Sequence, residues 1–207
     1  MAETATGRSL PSGRHHLTRE QVVASQRARM LKAMRESMME RGYVGTSVTD
    51  IVRRAGVSRE TFYQQFSSKQ DCFVQGLDEA MELLTSLLEA ARDEGADRGG
   101  DPHERFRALL RLYLHALAAE PALARLFLVE VYAAGPEAMA RRTHNQERFA
   151  DAIAALFDAT TDEQRFACLA LVAAAAQLVT AKLVAGDVDG LTALEEPLAG
   201  LARRLFP

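Results

Sequence analysis

Tryptophan is absent from this chain, cysteine occurs only twice, and no stretch alternates apolar with polar residues as a half-buried strand would. Each absence excludes something. Cys72 and Cys168 are far apart and fall inside helical patterns, which excludes a disulfide scaffold. Both are expected as buried or half-buried free thiols in a reducing cytoplasm. No apolar run is expected to reach the length of a bilayer span. The opening residues MAETATGRSLPSGRHHL contain no apolar h-region, so they do not read as a secretory signal. His15, His16, His103, His115 and His144 have no metal-ligand spacing with one another or with either cysteine. A Gly-rich phosphate loop and a nucleophile elbow are both missing. The sequence therefore offers no catalytic residue, no metal site and no cofactor site.

What the chain does have is helical periodicity over most of its 207 residues, 48% of them hydrophobic, enough for one or two small cores. The fold class read from this is all-α. Charge is unevenly divided although the net is only −3. Residues 1–70 hold twelve Lys/Arg against six Asp/Glu, and residues 71–207 hold thirteen against twenty-two. A basic first third on an acidic remainder suits a nucleic-acid-binding module joined to a domain with another task.

Residues 1–17 are rich in Gly, Ser, Thr and Pro and read as a disordered arm, with Arg8, Arg14, His15 and His16 either reaching DNA or simply solvated. Thr18 and Gln21 have capping-box spacing. The helix they open carries Val23, Met30, Met34 and Met38 on one stripe, with the methionines as core filler, and ends near Gly42. Ser47 and Asp50 repeat the cap spacing, Val48, Ile51, Val52 and Ala55 form an apolar stripe, and Gly56 is placed to stop the helix. Ser58 caps the next one, in which Phe62 and Phe66 face inward four residues apart. Arg59, Glu60, Thr61, Tyr63 and Gln65 are left for the other surfaces. Two short helices joined by a tight turn make a helix-turn-helix.

This stretch resembles the DNA-binding domain of the TetR family of bacterial transcriptional repressors. The resemblance is carried by Thr46, by Ile51-Val52-Arg53-Arg54-Ala55-Gly56-Val57-Ser58, by Thr61-Phe62-Tyr63-Gln64-Gln65-Phe66 and by Lys69, about a quarter of the chain in all. The sequence departs from the family pattern at Val52, Glu60, Phe62 and Gln65; the apolar changes keep the core, whereas Glu60 and Gln65 lie on the reading helix. The resemblance implies that Arg59, Thr61 and Gln65 turn toward base edges, with Tyr63 on phosphate, Lys69 on the backbone nearby and Ser58 at the start of the reading helix. Arginine can read guanine and glutamine can read adenine bidentately, whereas Tyr and Lys supply position without sequence information. Ser47 and Thr49 can meet phosphate through hydroxyls and helix-terminal N–H groups. Glu60 either accepts from a cytosine or pairs with a neighbouring Arg.

Beyond a helix-turn-helix domain at 18–67, residues 68–207 read as a helical ligand-binding and dimerisation domain. Ser68 opens a long helix reaching Gly95, the natural mechanical link between the two, and Asp93 to Asp101 reads as a loop. Further helices start at Pro102, Pro121 and Pro136, the second running through Val129 and Val131. Thr161 to Gln164 caps a helix reaching Gly186 whose middle, LALVAAAAQLVTAKLVAG, is apolar nearly all round and should be buried on most sides. Leu191, Leu194, Leu198, Leu201 and Leu205 form a last stripe, kinked or begun by Pro197. His115 and His144 read as hydrogen-bonded pocket or core residues. The resemblance implies an effector pocket in this region, with Phe106, Leu110, Tyr113, Phe127, Tyr132, His144, Phe149, Phe166 and Gln177 as candidates. Inward stripes rich in Leu, Ala, Phe and Val favour a lipophilic small molecule. The expected whole is a cytoplasmic repressor that binds a palindromic double-stranded DNA operator as a homodimer, its last two long helices pairing through the Ala173–Ala176 run. The competing reading is an enzyme or helical scaffold that keeps the fold without binding an operator.

Overall fold

A computed structural model describes residues 18–96 and 101–207. The expected arm at 1–17 and part of the expected loop, 97–100, lie outside the described residues. Among those described there are helices and no strand. In chain order they are α1 (Arg19–Arg41), α2 (Val48–Ala55), α3 (Arg59–Gln65), α4 (Lys69–Ala96), α5 (Pro102–Ala119), α6 (Pro121–Leu128), a 3₁₀ turn (Glu130–Ala133), α7 (Pro136–Leu156), α8 (Asp162–Ala185), α9 (Asp189–Thr192) and α10 (Glu195–Leu205).

The helices start where the caps say they should. Thr18, Ser47 and Thr161 each accept from the backbone N–H three residues on, and Gln21, Asp50 and Gln164 return the bond, closing three capping boxes. The Ser58 hydroxyl accepts from the Thr61 amide at 3.0 Å, and Ser68 from Asp71 at 3.0 Å. Gly56 ends α2 at φ 64°, a left-handed conformation that a side chain would strain, and so sets the tight turn into α3. The helix opened by Pro121 stops at Leu128, and Val131 belongs to the 3₁₀ turn instead. Pro197 is the third residue of α10, where its missing N–H has no intrahelical partner to lose.

Two cores form. The first gathers Met30, Leu31, Met34 and Met38 of α1, Ile51 and Ala55 of α2, Phe62 of α3, Phe66, and Phe73 and Leu77 of α4. It also takes in Leu126, Phe127 and Val131, which lie beyond the expected boundary at residue 67. The Phe73 and Phe127 rings meet at 5.7 Å between centroids. The second core joins α5, α7, α8, α9 and α10 through Phe106, Leu110, Leu114, Ala150, Ala154, Cys168, Leu171, Leu191 and Leu198. Both cysteines are buried free thiols, and burial pushes the Cys72 thiol up to about 12.

Two expectations about apolar stripes fail for one reason, the lack of a partner element. Val23 is 39% exposed because none of the described residues packs against the first two turns of α1, whose core residues begin at Met30. Helix α8 is not buried on most sides. Its mean hydropathy of 1.9 over an 18-residue window reaches that of a bilayer span by length and composition, contrary to the sequence reading, yet only 33% of that window is buried. One side packs along α7, and the other carries Phe166, Leu169, Ala170, Ala173, Gln177, Ala181 and Val184 outward at three- and four-residue spacing.

Candidate DNA interface

Helix α3 is only seven residues long and would not persist alone. Phe62, fully buried, and Phe66 just after the helix anchor it, their rings 5.3 Å apart. That anchorage turns Arg59, Glu60, Tyr63 and Gln64 to the surface, with Thr61 and Gln65 half-buried at its edge. Arg59 donates to the Tyr63 hydroxyl at 3.2 Å and its guanidinium lies 5.4 Å from that ring's centroid. The two side chains one turn apart therefore form a joint polar surface. Ser58 and Thr61 share a hydroxyl–hydroxyl bond of 2.9 Å beside it.

The turn at Gly56 joins the C-terminus of α2 to α3, and the N-terminus of α2 lies at the other end of that helix. Ser47 and Thr49 are exposed there. Ser47 donates to Asp50 Oδ2 at 2.6 Å while its own Oγ accepts from the Asp50 amide, so its hydroxyl is already engaged in the cap. Hydrogen bonds from the Ser47 hydroxyl and amide, with Arg41 beside them, hold the Asp50 carboxyl down at about 2. Arg41 at 3.1 Å and Arg53 at 3.0 Å bracket Asp50. Arg53, with 73% of its side chain exposed, joins the candidates that motif reading passed over. The signal available for it was the basic excess of the first 70 residues.

Lys69 sits elsewhere than expected. Its ammonium donates to the carbonyls of Tyr43 at 2.8 Å and Thr46 at 2.9 Å, and lies 4.0 Å from the Tyr43 ring centroid. Burial lowers its pKa. The side chain is turned into the protein and fixes the α1–α2 connection, so its place in the motif is explained by packing.

The candidate effector residues are not brought to one place. Phe106, Leu110, Tyr113 and Phe149 do gather in or against the second core, with Tyr113 and Phe149 rings 6.5 Å apart. Phe127 belongs to the first core. Tyr132 is 50% exposed under the Arg142 guanidinium, Phe166 is 69% exposed, and His144 and Gln177 are exposed too, as is His115. Residue type and spacing do not settle which way each helix turns, and packing scatters these side chains. One open cleft of about 340 Å³ lies between the start of α6 and the end of α8, lined by Pro121, Ala122, Arg125, Leu183, Val184, Ala185, Gly186 and Val188.

Comparison with known proteins agrees with the geometry. Residues 30–75, spanning the second half of α1 through the start of α4, match the family described as bacterial regulatory proteins, tetR family. The transcriptional activator FasR of Mycolicibacterium smegmatis is 27% identical over 191 residues, covering 91% of this chain and 82% of FasR. For a second group of curated relatives the match covers 63% of their length. Among solved structures, the fatty acid degradation regulator FadR of Bacillus halodurans superposes with a TM-score of 0.70 at 20% identity, over 87% of this chain and 94% of that one. FadR of Bacillus subtilis, solved in complex with stearoyl-CoA, gives 0.62 at 17% identity, over 86% and 97%. An anchored two-helix reading unit and the matching span around it mark residues 30–75 as similar to the DNA-binding domain of the tetR family of bacterial regulatory proteins, and the whole chain shares the helical fold of the solved regulators.

Proposed function

We propose that the chain is a ligand-responsive repressor that binds a palindromic operator as a homodimer and is released by a small, mainly apolar effector. The observation that carries the DNA-reading part is the polar face of α3, held outward by Phe62 and Phe66. In this reading Arg59, Thr61 and Gln65 address base edges, Tyr63 meets phosphate, and Ser47, Thr49 and Ser58 lie along the backbone nearby. The functional division remains a reading unit at 18–67 and an effector and pairing unit at 68–207, acting in the cytoplasm where the DNA is. The regulatory sign would follow from operator position: an occupied operator overlapping a promoter blocks transcription, whereas the relative FasR is described as an activator.

Dimerisation is supported by the outward apolar stripe of α8. One helix-turn-helix reads only a few base pairs, so a two-fold partner is needed for affinity, with half-sites about 34–36 Å apart or a multiple of that. The effector class is supported by the apolar second core around Tyr113 and Phe149 and by the apolar stearoyl chain, though not the polyanionic coenzyme A part, of the ligand in Bacillus subtilis FadR. To loosen operator binding tenfold, the effector must favour the non-binding state by about 1.4 kcal/mol. The test is selection from random duplex DNA, repeated with a panel of hydrophobic and charged metabolites. A recovered palindrome released by apolar compounds supports the reading; absence of any selected sequence overturns it in favour of a scaffold or enzyme.

A further inference from the structure

The connection between α1 and α2, residues 42–47, decides where α2 and therefore α3 sit, yet it has no secondary structure to stiffen it. Tertiary bonds hold it. From one side, Lys69 at the start of α4 grips the Tyr43 and Thr46 carbonyls. From within, the buried Thr46 hydroxyl donates to the Ser37 carbonyl at 3.1 Å and is 2.9 Å from the Gly42 carbonyl oxygen. The third tie comes from far along the chain. The Tyr43 amide donates to Glu130 Oε2 at 2.8 Å, in a partly buried setting 87 residues away in sequence.

Glu130 is the first residue of the 3₁₀ turn, in the part of the chain read above as the effector unit. Its neighbour Val131 is fully buried in the first core, which fixes the carboxylate's approach. Gly42 is at φ 70°, and a Cβ there would stand 3.1 Å from Glu130 Oε2. A side chain at 42 would thus be strained by its backbone and would press on the same carboxylate. A hydrogen bond from a backbone N–H to an ionised acceptor is among the stronger kinds, and it is lost once donor and acceptor part by much more than about 3.5 Å. A small shift of the 3₁₀ turn would free the Tyr43 amide.

We propose that Glu130 is a positioning residue for DNA binding, its carboxylate tying the α1–α2 connection, and through it the reading helices, to the α6–3₁₀ segment. This rests on the reading of α3 as the DNA-contacting helix. Glu130 touches no DNA; it acts through Tyr43.

The experiment compares wild type, Glu130→Gln and Glu130→Ala in the full-length protein, at temperatures well below each thermal midpoint. Affinity is measured for the selected operator and for random duplex, alongside amide exchange across residues 42–46. Glu130→Gln keeps a carbonyl acceptor for the Tyr43 amide and should stay within about threefold of wild type. Glu130→Ala should lose about tenfold on operator, the equivalent of about 1.4 kcal/mol. It should lose much less on random duplex, and exchange at 42–46 should speed up. Unchanged operator affinity in Glu130→Ala overturns the inference while wild-type selection leaves the functional reading intact. Reduced affinity without faster exchange at 42–46 overturns it too, since the effect would then travel by another route. If wild type itself selects no duplex, the functional reading fails and the positioning role falls with it.

Discussion

Among the described residues, helix α3 and helix α8 both leave an outer face without a partner, and the two faces are opposite in kind. The face of α3 is short, polar and cationic at Arg59; that of α8 is long and apolar, with Phe166 and Val184 more than half exposed. A polar face is at ease in water, so α3 needs only anchorage from behind, which Phe62 supplies. An apolar face of that length costs free energy in water at about 25 cal/mol per Å², so α8 calls for cover. One surface thus suits a charged, hydrated partner and the other a second copy of itself.

The comparison can be broken most severely at α8. Phe166→Glu or Ala173→Glu places a charge on the outward stripe, and either should turn the dimer into a monomer by sedimentation. With the two reading units unlinked, operator affinity should fall by about 10²–10⁴ although α3 is untouched. Ala175 is a poorer choice, since it packs in part against its own second core. A Phe166→Glu protein that still sediments as a dimer would move the pairing surface elsewhere.

At α3 the expected loss is smaller. Arg59→Ala should weaken operator binding by about 1–3 kcal/mol and relax preference at one position per half-site. Equal loss on operator and random duplex in a binding titration would assign Arg59 to phosphate. Tyr63→Phe removes the hydroxyl that Arg59 reaches and should weaken all sequences alike. Ser47→Ala loses one capping box and should cost about 1 kcal/mol of stability by denaturant melting.

How much of this contrast could be read from the sequence depended on range. The caps at Thr18, Ser47, Ser58 and Thr161 are bonds between residues three apart, so spacing alone revealed them. Phe62 and Phe66 were legible because a seven-residue helix has only one way to bury two rings four apart. Lys69 was assigned outward by its place in a motif, whereas its ammonium is held by carbonyls 23 and 26 residues away. Glu130 left no local sign at all, its partner being Tyr43. The scattered pocket candidates fail likewise, because which helix faces which is settled by packing between elements that composition does not record. Helix α8 looked uniformly apolar, and its sequence could not say which side would be left open.

The smallest expected effect lies where α5 meets α10. Arg111 and Arg107 hydrogen-bond Glu195 and hold its carboxyl down at about 2. A carboxyl with a lowered pKa adds stability that is fully present above its ordinary value near about 4.3 and is lost as pH falls toward 2. Thermal midpoints measured from pH 5 to pH 2 should drop more steeply in wild type than in Glu195→Gln. Parallel slopes would remove Glu195 from the account. The pair is near the surface, so the difference should be modest and should shrink with salt.

The reach of the first core into α6 and the 3₁₀ turn has a consequence for anyone who would treat the reading unit as an exchangeable cassette. A graft joined at Ser67 would leave Phe66 and Tyr43 without Phe73, Leu126, Phe127 and Val131 beneath them. Each such side chain contributes about 1.5–3 kcal/mol when fully buried, a large share of a small unit's whole stability. Chimeras with relatives should therefore keep residues 18–77 together with 123–138 from one parent, two separated stretches of chain transplanted as a single packed block. On the proposed function, operator preference would then travel with the block.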